Sequence, residues 1–192
     1  MNIHRPIAPP PTPQPVRFTA EDYFGMAGAL NVRFEKTELL DGAIYEMPID
    51  GPMTRKWNSV LNEWLVRNKG AGVALVNHQT LPLGEYWAPS PDHYLFPSAV
   101  GHEKVTGANV LLIIEVSDTT LDYDLGGKAN AYAEHGVREY WVIDPKERRV
   151  FVHRLNETGE YGEPRIIEAD GSVKAMLIPG FKLRLADLPE VN

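Results

Sequence analysis

Apolar residues concentrate in the middle of the chain, in an unbroken run over residues 110–114 and again over residues 140–143. Runs of this length predict strands buried on both faces, at the centre of a sheet. Between them the pattern changes. Asp124, Lys128 and Tyr132 recur every four residues, so a helix presents them on one face, and Gly136 stands where such a helix stops. Upstream, Trp57, Val60, Leu61, Trp64 and Leu65 follow the helical period and predict a helix over residues 52–69, ended by Gly70. Asp41-Gly42, between residues 37–40 and 43–47, predicts a hairpin. Thr19-Ala20-Glu21-Asp22 reads as a helix N-terminus with acidic residues in its first turn. Further strands are expected over residues 73–77, 80–83 and 93–96. After a turn at Asp144-Pro145-Lys146-Glu147, alternation over residues 148–155, 161–168 and 173–178 predicts a meander. A last strand over 181–185 and a helical turn to Leu188 complete a mixed α/β domain, with helices packed on a central sheet.

With 192 residues, 43% hydrophobic and 23% charged, the chain suits one globular domain. Residues 1–16 are proline-rich and read as a flexible arm, leaving residues 17–192 as the domain. No apolar run approaches the roughly 18 residues of a membrane span. The N-terminus lacks a signal peptide's apolar core, and there is no cysteine, so a cytoplasmic protein without disulfides is expected. The net charge of −7 excludes an overall basic footprint for nucleic acid, so contact with a polyanion must be local or mediated by metal ions.

Three charged residues gather around the first apolar run. Asp92 follows Pro91 at a strand start, Glu115 closes the buried strand, and Lys128 lies on the helix that follows. A carboxylate at the mouth of a buried strand is costly unless a cation or hydrogen bonds compensate. Two such carboxylates supply hard oxygen ligands, which suit Mg²⁺ or Mn²⁺. A divalent ion would polarise a phosphoryl oxygen and activate water, and a neighbouring ammonium could orient that water. These are the parts of a metal-dependent phosphodiesterase. The same residues also admit plainer roles. Asp92 can satisfy backbone N–H groups, Glu115 can pair with Lys128, and Asp124 with Lys128 can be an i,i+4 helix pair. Tyr132 and Trp141 can be packing residues. His78, His93 and His102 raise the thought of zinc, although their spacing matches no standard zinc motif.

The segments Pro91-Asp92, Glu115-Val116-Ser117, Asp124, Lys128, Tyr132 and Gly136-Val137-Arg138-Glu139-Tyr140-Trp141-Val142-Ile143-Asp144 resemble the Uma family of putative restriction endonucleases, within the PD-(D/E)XK nuclease-like superfamily. The likeness extends to Phe18-Thr19-Ala20-Glu21-Asp22-Tyr23 and to Glu38-Leu39-Leu40-Asp41-Gly42-Ala43-Ile44-Tyr45-Glu46-Met47, and so covers roughly residues 18–188. It implies a restriction-endonuclease-like fold and Mg²⁺- or Mn²⁺-dependent hydrolysis of DNA. Asp92 and Glu115 would be metal ligands and Lys128 the motif lysine. Glu38, Asp124 and Tyr132 would be secondary, and the protein a homodimer. Two positions depart from the pattern: Ser117 stands where the superfamily motif has lysine, and Pro52-Met53-Thr54-Arg55 lacks the histidine that often opens this helix in the family. The alternative reading is a catalytically inactive nuclease fold serving as a binding or assembly module. If DNA binds, Arg55, Lys104 and Arg138 are the candidate phosphate contacts.

Overall fold

The computed structural model describes residues 15–33 and 36–189; all but Pro15 and Val16 of the proline-rich arm lies outside the described residues. Helix α1 (Ala20–Arg33) leads to the hairpin β1 (Thr37–Leu40) and β2 (Ala43–Glu46), then to α2 (Pro52–Asn68). Strands β3 (Val73–Asn77), β4 (His93–Pro97) and β5 (Leu112–Val116) follow. A helical segment is built from α3 (Leu121–Tyr123), a π turn (Asp124–Lys128) and α4 (Ala129–Glu134). It connects β5 to β6 (Glu139–Asp144), which continues to β7 (Arg149–Arg154) and β8 (Arg165–Ile167). Strands β3 to β8 form one six-stranded sheet in sequence order. Only β5 and β6 pair in parallel, because the helical segment between them crosses over one face of the sheet. The result is the expected mixed sheet flanked by helices.

Local chemistry explains the elements. Thr19 caps α1 reciprocally: the Asp22 N–H donates to its hydroxyl at 3.1 Å, and its own N–H donates to the Asp22 carboxylate at 2.9 Å. Asp41 and Gly42, at φ 50° and 77°, make the tight turn that joins β1 to β2. Along β5, Leu112, Ile114 and Val116 pack on one face with Trp57, Leu61 and Leu65 of α2, while Ile113 packs on the other with Tyr132 of α4. Strand β6 alternates likewise, Trp141 and Ile143 to the first face, Tyr140 and Val142 to the second. Both central strands are therefore buried on both sides, as their unbroken apolarity predicts.

Three expectations are corrected. Residues 80–83 are not a strand. The Leu81 and Leu83 N–H groups bond to the Pro89 and Trp87 carbonyls, but Pro89 has no N–H to return a bond to Leu81 and the Trp87 N–H goes to the Gly84 carbonyl instead. The C-terminal meander stops at β8. Strands β9 (Val173–Lys174) and β10 (Lys182–Leu183) pair with each other as a separate ribbon, and Val173, Ile178, Phe181 and Leu183 close the core over α2's face of the sheet. The buried strand also begins two residues later than its apolar run, so Glu115 lies inside β5. No helix among the described residues is long and apolar enough to cross a membrane.

Candidate active site

Sheet register brings Asp92 and Glu115 together. β4 and β5 run antiparallel with His93 opposite Ile114, so one step further Asp92 meets Glu115. Side chains alternate along a strand, and Tyr94, Phe96 and Ile113 share the face covered by α4. Asp92 and Glu115 therefore turn to that same face. Each braces the other: the Asp92 N–H donates to Glu115 Oε2 at 3.1 Å, and the Val116 N–H donates to Asp92 Oδ2 at 2.8 Å.

The helical segment adds the cation. Lys128 Nζ donates to Glu115 Oε1 at 2.9 Å and stands 3.6 Å from Asp124 Oδ1 and 3.9 Å from Glu38 Oε1. The Tyr132 hydroxyl donates to the same Glu115 oxygen at 3.1 Å. The expected shared face of Asp124, Lys128 and Tyr132 survives the π turn, in which Gly126-Gly127 weakens the tendency to close a regular α turn. Asp124 Oδ2 accepts from the Ser117 and Thr120 hydroxyls at 2.6 Å each. Ser117, which stands where the superfamily motif has lysine, thus orients an acid. Glu38 arrives from β1, fully buried, and neither of its oxygens has a hydrogen-bond partner.

Asp92, Glu115, Glu38 and Asp124 are all buried, and Lys128 is the ammonium among them. Four carboxyl groups surround one ammonium, so with all of them ionised three negative charges would be in excess. Burial drives Glu115 above the ordinary carboxylate range, with Asp92, Asp124 and Glu38 adding to the rise and Lys128 opposing it. Burial would lower Lys128, but Glu115, Glu38 and Asp124 together hold it well above its ordinary value. Asp92 is pushed up by burial too, yet hydrogen bonds from His78 and the Val116 N–H keep it below the usual range.

Asp92, Glu115, Asp124 and Lys128 all line one cavity of about 60 Å³, closed by Thr54 of α2, Asp118, Thr120 and the 47–51 loop. Lys36 and Asp50 also line it, and His78 Nδ1 stands 3.4 Å from Asp92 Oδ1. Sequence reasoning left Lys36 and Asp50 unremarked, because they come from connecting segments without periodicity, and noted Thr54 only as part of the segment that lacks the histidine. For His78 a signal existed. Asn77 pairs with His93 across β3 and β4, so the same register sets His78 opposite Asp92. The three histidines do not converge: His93 is hydrogen-bonded to Asn77 and Asn58, and His102 packs edge-on against Phe96. Of the candidate phosphate contacts, Arg55 lies beside Asp50, to whose carbonyl it donates at 2.6 Å. Lys104 precedes β5 and Arg138 precedes β6, at the end of the sheet opposite Glu115. The plainer contacts weighed for these residues exist as well, since Asp92 accepts a backbone N–H and Glu115 pairs with Lys128.

A family model, Uma2, described as "Putative restriction endonuclease", matches residues 20–186. The chain belongs to the Uma2 family. The Uma2 match runs from the first residue of α1 to the helical turn after β10 and so takes in every element around the cavity. Among solved structures, the Uma2 chain is similar to a crystal structure of a putative nuclease belonging to DUF820 from Anabaena variabilis, with a TM-score of 0.57 and 20% identity over 79% of this chain and 88% of that one. That likeness is one of fold. A search of curated proteins found no match.

Proposed function

We propose that this Uma2 protein is a metal-dependent nuclease that hydrolyses DNA phosphodiester bonds at the Asp92–Glu115–Lys128 cluster. One observation carries the reading: four buried carboxyl groups surround the Lys128 ammonium, three of them (Asp92, Glu115 and Asp124) line one cavity, and Glu38 beside them has no hydrogen-bond partner. Uncompensated buried charge is costly, and a divalent cation bound by hard oxygen donors relieves it. The donor set therefore fits Mg²⁺ or Mn²⁺, with Asp92 and Glu115 as the ligands. Such an ion, when bound, supplies Lewis acidity to a phosphoryl oxygen and lowers the pKa of water.

The chain's own residues account for the rest. Lys128 holds its ammonium over Glu115 and toward the cavity, where it orients a water and balances charge growing on the phosphate. Tyr132 and the Asp92 N–H fix the Glu115 carboxylate. Asp124, held by Ser117 and Thr120, and Glu38 keep Lys128 protonated. In the reaction the water oxygen bonds to phosphorus, the ester bond to the departing sugar oxygen breaks, and the proton lost by the water ends on that sugar oxygen through solvent. Membership of a family described as "Putative restriction endonuclease" supports DNA as substrate, and a homodimer would give each strand of a duplex its own site.

A second reading is favoured by the completeness of the network: both Glu115 oxygens already accept hydrogen bonds, as a structural cluster in an inactive binding module would have them. Cleavage decides between them. Supercoiled plasmid and single-stranded DNA are incubated with Mn²⁺, Mg²⁺ or EDTA, using wild type, Asp92→Ala and Lys128→Ala purified identically. Metal-dependent cleavage that both substitutions abolish supports the nuclease. No cleavage, with no stabilisation by either ion, overturns it.

A further inference from the structure

One group of metal-ligating side chains extends beyond the acid and lysine cluster. An oxygen of Asp50, a ring nitrogen of His78 and an oxygen of Asp92 lie within 4.8 Å of one another. We infer that these three residues form a second cation site of mixed nitrogen and oxygen donors, which takes a transition-metal ion such as Mn²⁺ in preference to Mg²⁺.

The spacing suits shared ligation. Donors about 2.0–2.2 Å from one ion stand roughly 3.0–3.4 Å apart when adjacent, and His78 Nδ1 is 3.4 Å from Asp92 Oδ1. Without an ion His78 hydrogen-bonds Asp92 across this gap, and a bound cation would take the place of that shared proton. Rigid elements place two of the three donors. The His78 N–H donates to the Asp92 carbonyl at 3.0 Å, extending the β3–β4 ladder by one residue. His78 then takes a left-handed backbone, φ 49°, which is uncommon for a side chain of this size. Arg55 grips the Asp50 carbonyl from the first turn of α2 and fixes the third donor's loop. Burial is graded: Asp92 is buried, Asp50 half-buried and His78 exposed, so an ion would be anchored from beneath and keep positions open to solvent. Cavities of about 330 and 250 Å³ meet at Asp50 and His78. Lys36, whose charge also acts on Asp92, lines the larger.

The donor set decides the ion. Mg²⁺ favours oxygen ligands and holds its waters, whereas imidazole suits first-row transition ions; Mn²⁺ is the weakest-bound of these but accepts a nitrogen donor more readily than Mg²⁺. Asp92 offers Oδ2 toward Val116 and Oδ1 toward His78, so one carboxylate can serve both this site and the Glu115 side. A role for this ion in hydrolysis rests on the nuclease reading above; its binding does not.

Mn²⁺ is both the probe and the ligand for the test. Binding is measured by calorimetry on the full chain, and pulsed electron paramagnetic resonance detects ¹⁴N coupling from imidazole. His78→Asn keeps a residue that tolerates the left-handed backbone, and Asp50→Ala removes the carboxylate. Both are checked for an unchanged melting profile in EDTA. Expected for wild type are ¹⁴N coupling and one more Mn²⁺ bound than in either variant. For the ion lost, the Kd rises by more than about 100-fold, beyond the 10- to 100-fold cost of disturbing a mere neighbour of a ligand. The Mg²⁺ titration should change little. Absence of ¹⁴N coupling in wild type, its persistence in His78→Asn, or an equal Mn²⁺ count in all three proteins overturns the inference. Failure of the nuclease reading looks different: ¹⁴N coupling lost with His78, but no DNA cleaved in either metal. If plasmid is cleaved while the Mn²⁺ count is insensitive to His78, the nuclease stands and this site falls.

Discussion

Replacing Lys128 with methionine keeps an unbranched apolar stem but takes the ammonium from among Glu115, Asp124 and Glu38, which surround it at 2.9, 3.6 and 3.9 Å. The lysine side chain is only 8% exposed, so little water can replace it. Removing one partner of a buried ion pair costs about 3–5 kcal/mol, because the other charges stay buried without compensation. For a domain of this size each kcal/mol lowers Tm by roughly 2–4 °C, so the expected fall in EDTA at pH 8 is roughly 6–20 °C, read by circular dichroism melts. The companion variant Glu115→Gln tests the cause. If trapped charge is the reason, the double variant should be more stable than the two single losses predict, with coupling of about 0.5–3 kcal/mol. Adding Mn²⁺ should raise the Tm of Lys128→Met by more than that of wild type, since the carboxyl cluster then has no ammonium of its own. A fall of less than about 3 °C, or strictly additive losses in the double variant, would refute the claim that Lys128 compensates this cluster.

Other residues give independent checks. Glu38→Gln removes a fully buried charge with no hydrogen-bond partner, so it is expected to raise Tm in EDTA while reducing the stabilisation gained from Mn²⁺; a lower Tm in EDTA would contradict this. His153 is buried against Tyr140 and Tyr161 with neither ring nitrogen bonded, and burial lowers its pKa to about 4. It folds as the neutral base, so its contribution is intact above the unfolded value of 6.5 and lost as pH falls from there toward 4. Urea melts of His153→Phe should show a shallower decline over that window, and an unchanged slope would count against the assignment. A Cβ at Gly107 would overlap the His135 carbonyl oxygen, whereas one at Gly126 meets nothing within 4 Å. Gly107→Ala should therefore unfold at a markedly lower temperature, and Gly126→Ala should match or exceed wild type by up to about 1 kcal/mol in the same melts.

What the sequence reveals and what it conceals follow from how far each signal reaches along the chain. The β1–β2 hairpin is legible because Asp41-Gly42 supplies the left-handed turn within four residues, and α2 because its stripe repeats over four turns before Gly70. The central strands are legible because burial on both faces leaves no room for polar residues. Residues 80–83 mislead, since Leu81 and Leu83 are buried and alternate as a strand's would, while Pro89, opposite Leu81, has no N–H to return the ladder's bond. β9 and β10 carry the same alternation as β7 and β8, and only packing decides that they leave the sheet. The site divides along the same line. Asp92, Glu115 and Lys128 lie on or beside strand and helix, where periodicity fixes their direction, and sequence alone groups them. Asp50, His78 and Lys36 sit on connections and are brought in by pairing between distant strands, most simply by the register that sets His78 across from Asp92. The cluster's charge excess is likewise invisible residue by residue. Each acid has an ordinary explanation, and only their common burial around one lysine leaves the excess of carboxyl groups that calls for a cation.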